Sequence, residues 1–158
     1  MQKITTFLWF DNQAEQAVNL YVSLFKNSKI VSVARYGEAG PGPAGSVMTI
    51  DFQLDGQDYI ALNGGPLFKF TEAISLMVRC ESQAEVDRLW SRLTADGGEE
   101  SQCGWLKDKF GLSWQVIPAE LSTYIAGKDA VKSQKAVQAM LQMKKIDINQ
   151  IRKAYEQG

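Results

Sequence analysis

The chain has 158 residues, of which 45% are hydrophobic and 22% are charged. This length supports one good hydrophobic core and is too short for two ordinary independent domains. Seventeen basic against eighteen acidic residues give a formal net charge of −1, which excludes a strong global attraction to nucleic acid or an anionic membrane. The absence of histidine removes the commonest catalytic base and the commonest neutral metal ligand.

The cysteines and the N-terminal segment predict a cytoplasmic protein. Cys80 and Cys103 are too few for a disulfide framework and form no CxxC motif. The first residues carry one lysine and a short apolar run, which is neither a signal peptide nor long enough to cross a bilayer. We therefore expect a buried first strand and no membrane partner.

The first part of the chain predicts a strand, a helix and three further strands. An apolar run at residues 4–10 predicts the first strand, and Asp11 and Asn12 supply side chains that can cap a helix. Apolar residues then recur at spacings of three and four over residues 14–25, as in a helix packed on a sheet. The Asp55-Gly56 pair is typical of a hairpin turn. The remaining strands are predicted at residues 30–36, 47–54 and 59–63.

A glycine- and proline-rich stretch separates the second and third of these strands. Residues 37–45, GEAGPGPAG, predict a mobile surface loop, since both residue types interrupt regular structure. The loop is either a lid or a connector.

The same pattern then restarts, which predicts an internal duplication. A strand at residues 74–78 is followed by a capping region at Glu81-Ser82 and an amphipathic helix. The quartet at 82–85, SQAE, matches NQAE at 12–15 at the same strand-to-helix transition. A further hairpin is predicted between the segment around Trp105 and residues 112–117.

Beyond Pro118 the apolar period becomes helical and predicts a C-terminal helical tail. The tail is amphipathic and too apolar to remain free in solvent. We expect it to pack on the domain or on a second copy of the chain.

Alternating side chains on the strands predict which residues face away from the helices. The polar face is predicted to carry Asp51, Tyr59, Asn63, Ser75, Arg79 and Gln115. Trp9, Trp90 and Trp114 are expected on the helix-facing side, and Trp105 is the better candidate for the wall of a binding site. The alternative is that these polar side chains are solvated or lie in a dimer contact.

Several segments together resemble a known family. They are FLWFD at 7–11, Ala14-Glu15 with Ala17 and Tyr21, GGP at 64–66, ISL at 74–76, CGW at 103–105, KDKFG at 107–111, SWQ at 113–115 and MKKID at 143–147. The chain resembles the PhnB-like branch of the vicinal oxygen chelate superfamily, which also contains glyoxalase I and the bleomycin-resistance proteins.

The resemblance implies an α+β fold. Two βαβββ modules, at residues 1–66 and 67–118, would form a U-shaped, mainly antiparallel sheet around a cleft, with a helical tail at 119–158. Such proteins are commonly homodimers, and we expect a homodimer here.

The resemblance also marks the four positions that hold a divalent ion in metal-using relatives. They correspond to Thr6, Asn63, Ser75 and Gln115, all of which are neutral. Hydroxyls and amides are poor ligands for zinc, nickel or iron, so we expect no cofactor and no tight metal site. A weak magnesium ion near Asp51 is the alternative.

Relatives of this sequence also carry the label 3-demethylubiquinone 3-methyltransferase. The residues do not support that activity, because no glycine-rich turn joins the first strand to its helix.

The resulting prediction is a protein that binds a small polar molecule without a catalytic metal. The expected ligand contacts are Thr6, Asp51, Tyr59, Asn63, Ser75, Arg79, Trp105 and Gln115. Arg79 could pair with Asp51 or hold a carboxylate or phosphate of the ligand. One alternative is an enzyme, either a metal-dependent lyase or dioxygenase or one that uses Asp51 and Tyr59 as acid and base. The other is a structural homodimer without a ligand.

Overall fold

A computed structural model describes residues 2–158, which form two compact units. The first ends at Phe70, and the second runs from Thr71 to Gly158. Each unit contains a four-stranded mixed sheet and a helix that packs on it, which confirms the α+β fold predicted from the sequence.

The first unit follows the predicted order of elements. It contains β1 (Thr6–Phe10), α1 (Ala14–Leu24), β2 (Lys29–Arg35), β3 (Val47–Leu54) and β4 (Gln57–Asn63). The strand order is β1-β4-β3-β2, with β1 parallel to β4 and the other pairs antiparallel. Asp55 and Gly56 form the tight turn between β3 and β4, both with positive φ, as the hairpin signal predicts.

The second unit repeats this plan and adds the tail. It contains β5 (Ser75–Cys80), α2 (Gln83–Thr94), β6 (Glu99–Glu100), β7 (Trp105–Lys107), β8 (Ser113–Pro118), α3 (Leu121–Ile125), α4 (Ala130–Leu141) and α5 (Ile148–Glu156). Its strand order, β5-β8-β7-β6, is that of the first sheet shifted by four strands, which confirms the duplication. The two-residue strand β6 was not predicted.

Apolar side chains on one face of each sheet pack against the helix of the same unit. The buried set of the first unit includes Leu8, Phe10, Ala17, Tyr21, Ile50, Phe52 and Ala61. That of the second includes Val86, Leu89, Leu93, Leu106, Trp114 and Val116.

The two helices begin in different ways. The Ser82 side chain accepts a hydrogen bond from the Glu85 backbone N–H at 3.1 Å, so the predicted cap of α2 is confirmed. The predicted cap of α1 by Asp11 or Asn12 is wrong. Instead, Asn63 at the end of β4 reaches across and accepts from the Ala14 N–H at 2.9 Å.

The tail packs within the second unit, against β8 and the start of α2. Its buried cluster consists of Leu121, Ala136, Ile146, Ile148 and Ile151. The Gln83 side chain clamps the segment before α5, donating to the Ile146 carbonyl and accepting from the Ile148 N–H, both at 2.9 Å. Among residues 2–158, no helix is long and apolar enough to cross a bilayer.

Candidate functional site

The polar side chains of the second sheet lie in ordered rows on the face opposite α2. Register pairs Ser75 with Ser113 and Ser113 with Lys107, and the next row pairs Met77 with Gln115 and Gln115 with Trp105. Arg79 lies one step further along β5. We call this surface the polar face of the second sheet, and define it by Ser75, Met77, Arg79, Trp105, Lys107, Ser113 and Gln115.

Gln115 and Ser75 are hydrogen bonded to each other across the rows. The Gln115 Nε2 donates to the Ser75 Oγ at 3.0 Å, and both side chains are half-buried. This bond leaves the Ser75 hydroxyl proton and the Gln115 Oε1 available to a ligand. The pair can therefore donate to one oxygen and accept from another.

Ser113 lies between Ser75 and Lys107 in the first row and carries an unsatisfied hydroxyl. Its residue exposure is 1%, and within residues 2–158 its Oγ has no hydrogen-bond partner. Burying a hydroxyl without a partner costs about 1–3 kcal/mol, so such groups are rare in folded proteins. A ligand oxygen at this row would satisfy it. The sequence placed Ser113 on the same strand face as Gln115, but its burial could not be predicted.

Trp105 is held at the edge of this face by the tail. The Cys103 and Gly104 N–H groups donate to the Met143 and Lys144 carbonyls at 2.8 Å. Gly104 has φ 86°, and a Cβ there would lie 2.8 Å from the Ile117 Cδ1. The loop that precedes Trp105 is thus pinned on one side by the tail and on the other by β8.

The two cations of the polar face differ in their partners. Lys107 forms an ion pair with Glu72, and that hydrogen bond raises the pKa of Lys107 and lowers that of Glu72. Arg79 is exposed, and among the described residues its guanidinium makes no ion pair or hydrogen bond. Arg79 is therefore available to an anion.

Two residues predicted on the polar face, Tyr59 and Asn63, lie on the other side of the first sheet. Ala61 is fully buried and pairs with Ile50, so Tyr59 and Asn63, two positions on either side, face α1 as well. Thr6 pairs with Tyr59 and lies on that same side, where it is exposed. From the sequence alone, Ile60 and Leu62 are the expected core residues of β4, which puts Tyr59 and Asn63 on the polar face; the register of the sheet reverses this assignment.

The side chains of Tyr59 and Asn63 are already engaged. Tyr59 stacks on Phe52 with ring centroids 5.4 Å apart, and burial raises the pKa of its hydroxyl. The Asn63 amide also donates to the Val47 carbonyl at 3.1 Å. Asp51 pairs with Ile60 and so faces the side opposite Tyr59, which separates the predicted acid and base.

The outer face of the first sheet mixes apolar and polar side chains. It carries the apolar residues Phe7, Trp9, Ile60 and Leu62 and the polar residues Thr49, Asp51, Gln53 and Asp58. The expectation that Trp9 faces the helix is wrong, since its strand neighbours Leu8 and Phe10 are the buried ones. The Trp9 indole donates to the Gly65 carbonyl at 2.9 Å and packs edge-on against Phe68 at 4.9 Å. Exposed Asp51 has no side-chain partner among residues 2–158.

The first unit also contains a surface groove of about 560 Å³ beneath the glycine- and proline-rich loop. Asp11 and Glu15 line it together with Tyr36 and Asn63. Its inner polar groups are satisfied, because the Tyr36 hydroxyl donates to the Asn63 carbonyl and the Asn63 side chain bonds to backbone. We therefore interpret the groove as solvated.

Neither cysteine is arranged as a nucleophile. Burial raises the pKa of the Cys80 thiol to about 12, which keeps it protonated at neutral pH. The Cys103 Sγ lies 3.5 Å from the Met140 carbonyl oxygen, at the junction with the tail.

The residues at the four positions of the family metal site do not fit a tightly bound ion. Asn63 is turned toward α1, and Ser75 and Gln115 bond to each other. Within residues 2–158, no three cysteine, aspartate or glutamate side chains are grouped as metal ligands. The remaining donors are neutral hydroxyl and amide oxygens, which bind transition metals weakly.

Comparison with known proteins identifies the family. The family model for 3-demethylubiquinone-9 3-methyltransferase matches residues 2–117. Comparison with functionally curated proteins gave no match.

Solved structures agree with this match. The PhnB protein from Bacillus cereus is 42% identical, with a TM-score of 0.69, covering 75% of this chain and all of that one. A Pseudomonas aeruginosa protein is 20% identical over 75% of this chain and 98% of its own, with a TM-score of 0.61.

A third structure shares the fold at much lower identity. The fosfomycin resistance protein FosX from Listeria monocytogenes, solved with Mn(II) and a dihydroxypropylphosphonic acid, is 13% identical. The match covers 74% of this chain and 93% of FosX, with a TM-score of 0.53. With the family model spanning most of the chain and a 42% identical relative covered in full, the chain belongs to the PhnB-like family of the vicinal oxygen chelate superfamily.

Proposed function

We propose that the chain binds a small polar organic molecule on the polar face of its second sheet, without a tightly bound metal. The observation that carries this proposal is the buried Ser113 hydroxyl, which lacks a partner among the described residues. It lies in the same row as Ser75, whose hydroxyl is joined to Gln115 at 3.0 Å. Three polar groups thus converge on one region next to an aromatic side chain, as in small-molecule sites.

The donor set supports binding without a metal. Ser75, Ser113 and Gln115 offer neutral donors and acceptors that match hydroxyl and carbonyl groups. Trp105 offers a flat apolar surface. It pairs with Gln115 on the neighbouring strand and so lies in the same region.

Ligand-induced stabilisation tests the proposal. A library of small hydroxylated and carbonyl-containing molecules is screened by thermal unfolding in buffer with EDTA. A molecule that binds only the folded state at 100 times its Kd adds about 2.7 kcal/mol, or roughly 5–10 °C in Tm. We expect stabilising molecules in EDTA whose effect is lost in Gln115→Leu and retained in Gln53→Leu. The control is matched because Gln53 is also a strand glutamine bonded to a neighbouring side chain, Asp58.

Two outcomes would contradict the proposal. Stabilisation that needs added manganese, nickel or zinc would favour a metal-dependent lyase or dioxygenase. Stabilisation by no molecule, with or without metal, would favour a structural homodimer without a ligand. A catalytic role for Asp51 and Tyr59 together gains no support from the fold, since they face opposite sides of the first sheet.

A further inference from the structure

The structure assigns the ligand a chemical class: we infer that it is a carboxylate or similar anion carried on a flat apolar body, bound with its charged group at Arg79. This inference rests on the proposed function of the polar face. It depends on three features of that face, which are its unpaired cation, its apolar centre and its neutral polar end.

Arg79 is the first feature. Its guanidinium is exposed and has no ion pair or hydrogen bond to any described residue. Lys107, the other cation of this face, is paired with Glu72. An anion on the polar face would therefore find one uncommitted positive group, and the planar guanidinium binds carboxylate and phosphate through two parallel hydrogen bonds.

The row between Arg79 and the serines is the second feature. Met77 and Trp105 flank Gln115 on its two neighbouring strands. Met77 is 44% exposed, and Trp105 is half-buried. A flat apolar group can lie against the indole and the thioether while Gln115 reaches an oxygen substituent.

The spacing along β5 is the third feature. Ser75 and Arg79 are four residues apart on one face, which corresponds to about 13 Å between their Cα atoms. The arginine side chain can fold back along the strand. A ligand whose anionic group lies about 6–10 Å from a hydroxyl or carbonyl can therefore contact Arg79 and Ser75 at the same time. The size is that of a substituted aromatic acid.

Matched pairs of carboxylates and their primary amides test the assignment. The probes are 4-hydroxycinnamate, indole-3-acetate and 3-phenylpropionate, each against its amide, with affinities from ligand-observed NMR in EDTA. We expect each carboxylate to bind about tenfold more tightly than its amide, a difference of about 1.4 kcal/mol. Arg79→Gln should remove this difference, and Arg35→Gln should keep it. Arg35 is a matched control because it is also an exposed strand arginine.

The possible results separate the two proposals. If amides and carboxylates bind equally, and Gln115→Leu still abolishes binding, the anion assignment fails while the proposed function stands. If none of the six probes binds although the library screen yields a molecule whose effect is lost in Gln115→Leu, the anion assignment fails and the proposed function again stands. If no library molecule and no probe binds, or if binding survives Gln115→Leu, both fail. Salt gives an independent readout, since carboxylate binding in the wild type should weaken with ionic strength more than amide binding.

Discussion

The two halves of the molecule share one topology but use their equivalent positions differently. In the first half, Gln13 occupies the N-cap position of α1, but its side chain makes no capping hydrogen bond. Asn63 from β4 caps α1 instead. In the second, Ser82 caps α2, which frees the matching Gln83 to hold the tail.

The outer faces of the two sheets differ in the same way. The first carries large apolar side chains beside two carboxylates, Asp51 and Asp58. The second carries Ser75, Ser113 and Gln115. Duplication thus preserves the buried pattern that specifies a βαβββ unit, while the outer face changes freely because it does not determine packing. The difference predicts that ligand chemistry belongs to the second half.

The largest expected effect concerns the hairpin turns. Asp108 is buried and accepts from the Phe110 and Leu112 N–H groups and the Trp114 indole at 2.9–3.1 Å. We expect Asp108→Ala to lower the free energy of unfolding by about 4 kcal/mol, because these three N–H donors would lose their acceptor. The exposed turn residue Asp55 of the first half, with φ 49°, should cost about 1 kcal/mol when replaced by alanine. Urea unfolding measures the loss of stability in both variants, and equal losses would show that the two turns stabilise the fold to the same extent.

Two glycines with nearly equal φ give the next effect. Gly104→Ala should lower stability by about 3 kcal/mol, since the new Cβ would meet the Ile117 Cδ1 and the Val116 carbonyl below 3.0 Å. Gly45, with φ 85°, has open space around it, so Gly45→Ala should cost only about 1 kcal/mol of backbone strain. The tryptophan fluorescence emission, to which Trp105 contributes, should also shift in Gly104→Ala. A similar cost at both sites would refute the claim that the tail and β8 pin this loop.

Equivalent glutamines give a smaller effect. Gln83→Ala removes two hydrogen bonds to the tail and should lower the free energy of unfolding by about 1–2 kcal/mol. Gln13→Ala removes no capping bond and should change it by less than about 0.5 kcal/mol. Amide hydrogen exchange in α5 should accelerate only in Gln83→Ala, and unchanged exchange there would contradict the clamp.

The smallest expected effect is the loss of stability at moderately alkaline pH. Burial raises the pKa of Cys80 from 9.0 to about 12 and that of Tyr59 above 10.0. Because the folded-state values are raised, this stability is present below the unfolded values and is lost as pH rises through the folded ones. Unfolding free energy should therefore fall from about pH 9 toward 12. Cys80→Ala, in the second half, and Tyr59→Phe, in the first, should each make the unfolding free energy fall less steeply with pH. An unchanged slope in both variants would contradict burial of these groups as the cause.

The local patterns predicted most of the fold. Alternation over Val47–Leu54 gave that strand, the Asp55-Gly56 pair gave its turn, and Ser82 gave the start of α2. These signals succeed because the energy that decides them comes from residues close in sequence.

The site was predicted less well, for physical reasons. In β4, apolar residues lie on both faces, so the sequence favours Ile60 and Leu62 over Ala61 as core residues and predicts Tyr59 and Asn63 on the wrong side. Asn63 and the start of α1 are separated by 49 residues in the sequence, so no local sequence pattern predicts their contact. In the second sheet the alternation was unambiguous. There Ser75, Arg79, Trp105 and Gln115 lie on one face as predicted, whereas their contact with a ligand stays a proposal.

The most direct test of ligand binding by the second half is chemical-shift mapping of isotope-labelled protein titrated with 4-hydroxycinnamate in EDTA. We predict saturable shifts at the side-chain amide of Gln115, the indole of Trp105 and the backbone around Ser75 and Ser113, with the first sheet unchanged. Shifts centred on Asp51 or on the groove of the first unit, or no shifts at all, would contradict ligand binding by the second half.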